Sequence, residues 1–212
     1  MQYTFFDFLS LVGSLGMFLY GMKMMSEALQ KVAGNRLRSI LSAMTSNRFF
    51  GIITGFMITA MVQSSSATTV MVVSFVNAGL VTVTESIGVI MGANIGTTVT
   101  GWIITLFGFK VQISAYSLPL IGLGLPFIFS KSGTRRSYGE LIIGFAFIFL
   151  GLEYLKDSVP NIQDNPEILS FLQKYTDSGI WTTLLFLGIG TLLTVLVQSS
   201  SATMALTFVM CN

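Results

Sequence analysis

The stretch Gln63-Ser64-Ser65-Ser66-Ala67-Thr68 recurs unchanged at Gln198-Ser199-Ser200-Ser201-Ala202-Thr203, and both copies lie in long segments without a charged residue. An identity of six residues inside apolar sequence is too long to be accidental. The hexapeptide, called QSSSAT below, therefore marks an internal repeat whose most polar part is also its best preserved part. We expect the function of the chain to depend on it.

The composition around the two copies is that of a membrane protein. Charged residues make up 9% of the 212 positions and hydrophobic residues 52%, whereas charged residues are about 25% of an average soluble domain. Several uncharged runs reach the roughly 20 residues that a helix needs to cross a bilayer core. We therefore predict an all-α integral membrane protein in contact with the lipid bilayer. The uncharged runs are 8–22, 49–84, 86–109, 111–130, 141–152 and 178–212.

The same composition excludes several classes of function. Histidine is absent and Cys211 is the only cysteine, so neither a disulfide nor a CxxC metal site can form within the chain. No nucleophile stands beside an evident base and no carboxylates cluster, which argues against an enzyme. The net charge of +2 is scattered over loops, so no basic patch indicates nucleic-acid binding. Asp7 in the first apolar segment favours a transmembrane helix over a cleavable signal.

The repeat extends well beyond the hexapeptide. At an offset of 135, Gly55 and Thr59 fall on Gly190 and Thr194; at an offset of 130, residues 18–22 fall on 148–152. Each copy reads as a helix, a polar loop, an apolar arm, QSSSAT and a second apolar arm. Within a single transmembrane domain, 1–212, repeat one covers about 13–130. Repeat two covers about 144–212 and lacks a counterpart of 78–130.

Loop charges orient the two copies in opposite directions. The loop after the first helix and the loop before the second copy are basic, and the positive-inside rule places both in the cytoplasm. The loop after Leu155 carries acidic residues and two prolines and suits the outer side. The copies then form an inverted-topology repeat, an architecture of secondary transporters with the substrate site near the bilayer midplane. The basic residues are Lys31, Arg36, Arg38 and Arg48, then Lys131, Arg135 and Arg136.

The uncharged run 49–84 has a polar centre and is too short for two full crossings and a turn. We predict a re-entrant, broken-helix hairpin that turns near Gln63 and leaves near Asn77, followed by two crossings at 85–109 and 111–130. In copy two the hairpin would enter from the outside, so that the two QSSSAT tips approach each other. The first arm of copy two is longer, and a full crossing there remains an alternative.

The tips carry the chemistry of a binding site. Three hydroxyls and a carboxamide supply donors and acceptors, and a helix restarting after the break offers free N–H groups and a partial positive charge to an oxyanion. Carbonyl and hydroxyl oxygens also suit a hard cation such as sodium. The segment Gly92–Thr98 offers a third break with Asn94, Thr97 and Thr98. Packing of small polar residues between helices is the alternative, but recurrence at equivalent positions favours binding.

The doubled QSSSAT, with Gly92-Ala93-Asn94-Ile95-Gly96-Thr97-Thr98 after the first copy, resembles the type II sodium-dependent phosphate cotransporters and their bacterial relatives. The resemblance implies sodium-coupled symport of inorganic phosphate across the cell (plasma or inner) membrane by a multi-pass protein, with sodium as co-substrate and no other cofactor. It implies a phosphate and sodium site shared by both hairpins. The residues carried over are Gln63, Ser64, Ser65, Ser66, Thr68, Asn94, Thr97, Thr98, Gln198, Ser199, Ser200, Ser201 and Thr203.

The chain departs from this family at its end. Members continue past the second hairpin with a counterpart of 85–130, whereas this sequence stops at Asn212. We expect either a fragment of a longer protein or a homo-oligomer in which a second copy supplies the missing part. A transporter or channel for another small ion, and a fragment that does not transport, are the alternatives to phosphate symport.

Overall fold

The structure is a computed structural model that describes residues 4–44, 47–110, 113–159 and 179–211. Every regular element in these residues is helical, which confirms the all-α prediction. A π-helix (Ile104–Lys110) and a 3-10 helix (Ile113–Tyr116) separate α5 from α6. The α-helices are α1 (Phe5–Met44), α2 (Arg48–Val62), α3 (Ser65–Asn77), α4 (Val83–Gly96), α5 (Thr98–Ile103), α6 (Ser117–Ile128), α7 (Gly133–Ser158), α8 (Ile180–Val197) and α9 (Ser200–Cys211).

Four helical segments are long and apolar enough to cross a membrane, in agreement with an integral membrane protein. They are Phe5–Ala33, Val83–Gly108, Gly133–Ser158 and Ile180–Val197. The second of these corresponds to the crossing predicted at 85–109. Shorter apolar helices of 10–17 residues include α2, α3, α9 and Ser114–Ile128, so the crossing predicted at 111–130 is a shorter helix than expected.

Two expectations about loops change. Lys31, Arg36 and Arg38 lie on α1, which continues to Met44, rather than in a loop. The helix extends because this stretch contains no proline and is rich in residues of high helix propensity. The acidic loop predicted after Leu155 falls mostly on residues 160–178, outside the described part of the chain; α7 itself ends at Ser158.

The chain divides into two compact units. The first is Met17–Leu150, and the second combines Met1–Gly16 with Gly151–Asn212. In the first unit, α2 and α4 pack through glycines. A Cβ added to Gly55 would overlap the Val89 carbonyl oxygen, and one added to Gly92 would overlap that of Ile52. Small residues let membrane helices approach this closely. A hydrophobic core around these helices contains Ile58, Val62, Val72, Phe75, Val81 and Val89.

Helix α1 packs antiparallel to α7 in the same unit. Gly21 lies against the backbone of Gly144, and a Cβ there would come within 2.8 Å of its carbonyl oxygen. Farther along α1, Lys31 Nζ lies 2.8 Å from Glu140 Oε2, so residue numbers rise on α1 as they fall on α7. Arg136 also pairs with Glu140, at 3.3 Å. Glu140 of α7 therefore contacts α1 through Lys31 and also pairs with Arg136 of its own helix.

The second unit contains the hairpin formed by α8 and α9. No residue of α8 is buried, and a Cβ on Gly190 would meet nothing within 4 Å. Gly190 is the repeat counterpart of Gly55, whose face is covered by α4. This unit also contains the first residues of α1 and the last residues of α7. There the hydroxyls of Ser14 and Ser158 lie 3.5 Å apart.

Candidate functional site

The first QSSSAT lies at a break between two helices. Helix α2 ends at Val62, and Gln63 adopts a left-handed backbone with φ 57° while its N–H bonds the Thr59 carbonyl. Ser64 is extended at φ −146°, and α3 starts at the next residue. The Ser64 hydroxyl caps α3 by accepting a hydrogen bond from the N–H of Ala67 at 3.2 Å. The predicted turn position near Gln63 thus coincides with the observed one.

The second QSSSAT has the same local geometry. Gln198 is left-handed with φ 55°, and the Ser199 hydroxyl accepts from the N–H of Ala202 at 3.3 Å. Among the described residues, Gln63 and Gln198 are the only residues other than glycine with a positive φ. A left-handed residue other than glycine costs about 1–2 kcal/mol. The sequence repeat is therefore also a repeat of one strained backbone conformation.

Threonine pairs bridge the two arms of each hairpin, and sequence reasoning left Thr59 and Thr194 out of the site. The Thr59 hydroxyl donates to the hydroxyl of Thr68 at 3.0 Å, and Thr68 donates onward to the Ser64 carbonyl at 3.1 Å. In the second hairpin the corresponding hydroxyls of Thr194 and Thr203 are 3.2 Å apart. A threonine at equivalent positions in both apolar arms was the signal available in the sequence.

The two bridges differ in strength. Thr59 and Thr68 are each only 1% exposed, and each proton of that bridge has one acceptor. The single proton of Thr194 is shared, because its hydroxyl also donates to the Gly190 carbonyl at 2.8 Å. The stronger hydrogen bond is therefore the one to its own helix.

We expect Thr59→Val to destabilise the folded protein by about 1–2 kcal/mol, because it leaves a buried Thr68 oxygen without its donor. Thr194→Val should cost less than about 0.5 kcal/mol, the range of changes away from such buried partners. Titration of the purified protein in detergent with SDS, followed by circular dichroism, measures both values. Equal costs for the two variants would contradict the difference between the bridges.

At the start of each second arm, Ser65, Ser66 and Ser200 are exposed or partly exposed, whereas Ser201 is buried. In the part of the chain that the structure describes, the hydroxyls of Ser65, Ser66, Ser200 and Ser201 make no hydrogen bond. The first N–H groups of α3 and α9 also lack helical acceptors, as in every helix. Each tip can therefore donate several hydrogen bonds to an anion, or offer hydroxyl oxygens to a cation.

The segment Gly92–Thr98 differs from expectation. It is not a third break, because α4 leads into α5 through Thr97, whose backbone stays in the right-handed helical region at φ −62°. The glycines serve packing instead, since α4 lies on α2 with Gly92 in backbone contact. The hydroxyls of Thr97 and Thr98 donate to the carbonyls of Ala93 and Ile95 in the last turn of α4, and Asn94 is exposed.

One residue of this segment does reach the first tip. The hydroxyl of Thr100, on α5, donates to Oε1 of Gln63 at 2.9 Å. Gly96 is also close to the tip, since a Cβ there would come within 2.8 Å of the Thr59 Cβ. Thr100 was not among the predicted site residues. The sequence offered only a weak indication of its role, because Thr100 lies three residues after Thr97, a predicted site residue.

Neither hairpin places a charged side chain at its tip. Among the described residues, no group of three or more histidine, cysteine, aspartate or glutamate side chains could hold a metal ion. A neutral, oxygen-rich site suits a sodium ion better than a transition metal, which takes nitrogen and sulfur ligands. Beside the second tip, α8 and α9 enclose an open groove of about 510 Å³ that is lined by Gly190, Thr191, Thr194, Ser200, Thr203 and Thr207, with four apolar neighbours.

A family model described as Na+/Pi-cotransporter matches residues 17–157, more than half of the chain. The chain belongs to the Na+/Pi-cotransporter family. The matched residues contain the first QSSSAT and the segment Gly92–Thr98 but end before the second QSSSAT. This confirms the resemblance noted from the sequence, and with it sodium as the co-substrate of the family. No solved structure matches the chain significantly.

Relatives include a putative inorganic phosphate export protein, YjbB, of Salmonella typhimurium, 32% identical over 73% of this chain and 28% of its own length. Sodium-dependent phosphate transport protein 2B of Homo sapiens is 41% identical over 45% of this chain and 14% of its own length. YqeW of Bacillus subtilis, an uncharacterised protein, is 29% identical over 87% of this chain and 57% of its own length.

The chain therefore spans only part of the length of these family members. Two of the three are named for transport or export, which agrees with the prediction that the chain is not an enzyme.

Proposed function

We propose that this chain carries out sodium-coupled symport of inorganic phosphate by alternating access, with phosphate and sodium bound between its two QSSSAT tips. The observation that carries the proposal is the duplicated tip: the same broken helix, with the same unpaired serine hydroxyls, occurs twice in a member of this family. We place the protein in the cell membrane as a multi-pass protein.

The anion would be held at the start of the second arms. There the free N–H groups of α3 and α9 and the partial positive charge of each helix N-terminus favour a tetrahedral oxyanion. Ser65 and Ser200 are the first residues of α3 and α9. Their hydroxyls add hydrogen-bond donors without breaking an internal hydrogen bond. Sodium would take oxygens of the same tips, where the two ions offset each other's loss of hydration.

Arm length supports re-entrant hairpins. Helices α2 and α3 have 15 and 13 residues, which at 1.5 Å per residue is about 22 and 20 Å. Both are shorter than a hydrocarbon core of about 30 Å. In copy two, α8 has 18 residues and is itself long enough to count among the possible crossings, so a full crossing by that arm remains the alternative.

The packing of α1 on α7 supports the inverted topology. These two helices carry the repeat-equivalent segments 18–22 and 148–152, and they lie antiparallel between Gly21 and Lys31 on one side and Glu140 and Gly144 on the other. Equivalent helices that run antiparallel in a membrane have opposite orientations. That relation is what an inverted repeat requires.

Sodium-dependent stabilisation by phosphate tests the proposal directly. Phosphate in sodium buffer should raise the free energy of unfolding by about 2.7 kcal/mol at a concentration 100-fold above the dissociation constant. The rise in melting temperature, measured in detergent, should be much smaller in potassium buffer. Sulfate at the same ionic strength is the matched anion. An equal rise with phosphate in sodium and in potassium would reject the coupling, and a rise with another anion alone would favour a transporter of that ion.

A further inference from the structure

The carboxamide of Gln63 is held at both ends. Its Nε2 donates to the carbonyl of Ala60, and its Oε1 accepts the hydroxyl proton of Thr100 at 2.9 Å. The carbonyl of Ala60 can only accept, so it must face the NH2 group and not the oxygen of the carboxamide. The orientation of the Gln63 side chain therefore follows from its partners.

Thr100 is well placed to hold this orientation. It lies on α5, it is 5% exposed, and it belongs to the same compact unit as the first tip. Its hydroxyl reaches Gln63 across 37 positions of sequence. A buried β-branched residue has few alternative rotamers, two for a threonine in a helix, so burial favours the one that places the hydroxyl of Thr100 on Gln63.

We propose that Thr100 is a positioning residue that makes Gln63 a hydrogen-bond donor to phosphate rather than a ligand of sodium. Gln63 retains one free N–H, because Nε2 carries two protons and Ala60 accepts one. The proton that Thr100 donates to Oε1 polarises the carboxamide, which strengthens the free N–H as a donor. The same proton lowers the negative potential at Oε1 and makes that oxygen a poorer site for a cation.

The second tip provides an internal comparison. Gln198 makes the equivalent bond from Nε2, to the carbonyl of Val195 at 2.6 Å. Its Oε1 has no partner in the residues that the structure describes, and the side chain is exposed. Within the described residues, Gln63 is thus held by a second contact that Gln198 does not make. The inference rests on the proposed phosphate site and assigns one role within it.

The test compares Thr100→Val, which keeps the shape and removes the hydroxyl, with Thr100→Ser, which keeps the hydroxyl. Phosphate affinity is measured at saturating sodium, and sodium affinity is measured without phosphate, both from ligand-dependent melting shifts. Thr100→Val should weaken phosphate binding about tenfold, the effect of one lost hydrogen bond, and should change sodium affinity less than about twofold. Thr100→Ser should bind phosphate almost as the parent does. Thr183→Val, at an exposed threonine on α8, is the matched control.

A double-mutant cycle separates positioning from general stability. In a Gln63→Ala background, Thr100→Val should weaken phosphate binding by less than about twofold, because its target is gone. A tenfold loss in that background, or a loss of sodium affinity instead, would overturn the assignment. If the parent protein shows no sodium-dependent response to phosphate, the proposed function fails first.

The hydrogen bond can also be examined without a ligand. The side-chain amide protons of Gln63, observed by NMR in detergent, should exchange with water more slowly than those of Gln198. Thr100→Val should remove that difference and Thr100→Ser should keep it. Equal exchange of the two glutamines in the parent protein would contradict the fixed carboxamide even if Thr100→Val did not fold.

Discussion

Replacing Gly55 with alanine should destabilise the folded protein by about 3 kcal/mol, the upper part of the range for an overpacked interior, whereas the same change at Gly190 should leave its stability equal or slightly higher. A methyl group on Gly55 would overlap the carbonyl oxygen of Val89, which is backbone and cannot rotate away. Helix α2 would have to move off α4, and the contacts around Ile58 and Val62 would be lost with it.

Gly190 is the matched control because it occupies the equivalent position of the repeat and a Cβ there meets nothing within 4 Å. At an open helical position alanine is favoured over glycine by up to about 1 kcal/mol. Unfolding of both variants by SDS in detergent micelles measures the two effects side by side. A large loss for Gly190→Ala would mean that this face of α8 is covered in solution. A neutral Gly55→Ala would contradict the close contact between α2 and α4.

Replacing Ser65 or Ser200 with alanine should reduce sodium-dependent phosphate uptake at least tenfold while the fold stays intact. A hydrogen bond to a charged group contributes about 1.5–3 kcal/mol, and these hydroxyls are proposed to bond a phosphate oxygen. Their removal breaks no internal hydrogen bond in the described part of the chain. Uptake of labelled phosphate into proteoliposomes under an inward sodium gradient measures transport, and equilibrium dialysis measures binding.

Ser74→Ala serves as the control for the serine variants. The hydroxyl of Ser74 donates to the Val70 carbonyl of its own helix at 2.8 Å and lies more than two turns from the tip. This variant should transport and bind as the parent does. If both Ser65→Ala and Ser200→Ala bind phosphate as well as the parent does, the tips are not part of the phosphate site. Equal uptake after choline replaces sodium would show that transport is not coupled to sodium.

Much of the architecture could be predicted because its causes are local. Long uncharged runs predict membrane helices whatever their partners, and a polar hexapeptide in the middle of a run too short for two crossings predicts a break there. The turn at Gln63 and the end of the hairpin at Asn77 follow from that pattern, and α3 does end at Asn77. The predicted antiparallel relation of the copies came from a few basic residues, and the packing of α1 on α7 supports it.

The errors arose where one residue type has two uses. Glycines at Gly92 and Gly96 were interpreted as a helix break, but here they allow α4 to lie on α2, and Thr97 stays helical. A glycine in a membrane helix can serve either purpose, and only the partner helix decides which. Lys31 and its basic neighbours indicated a loop by charge, although long basic side chains are also good helix formers.

Composition and exact recurrence are properties of the chain alone, so they were enough to predict the membrane environment, the helical class, the repeat and which residues lie at the two tips. Only the tertiary structure showed that Thr59 bridges the arms of the first hairpin and that Thr100 holds the carboxamide of Gln63. Both contacts join residues of separate helices, and a hydroxyl that donates across such a gap leaves no periodic pattern in the sequence. Since such contacts come from other helices, the two identical copies of QSSSAT differ in their surroundings. Gln63 contacts the buried Thr100, whereas the side chain of Gln198 is exposed.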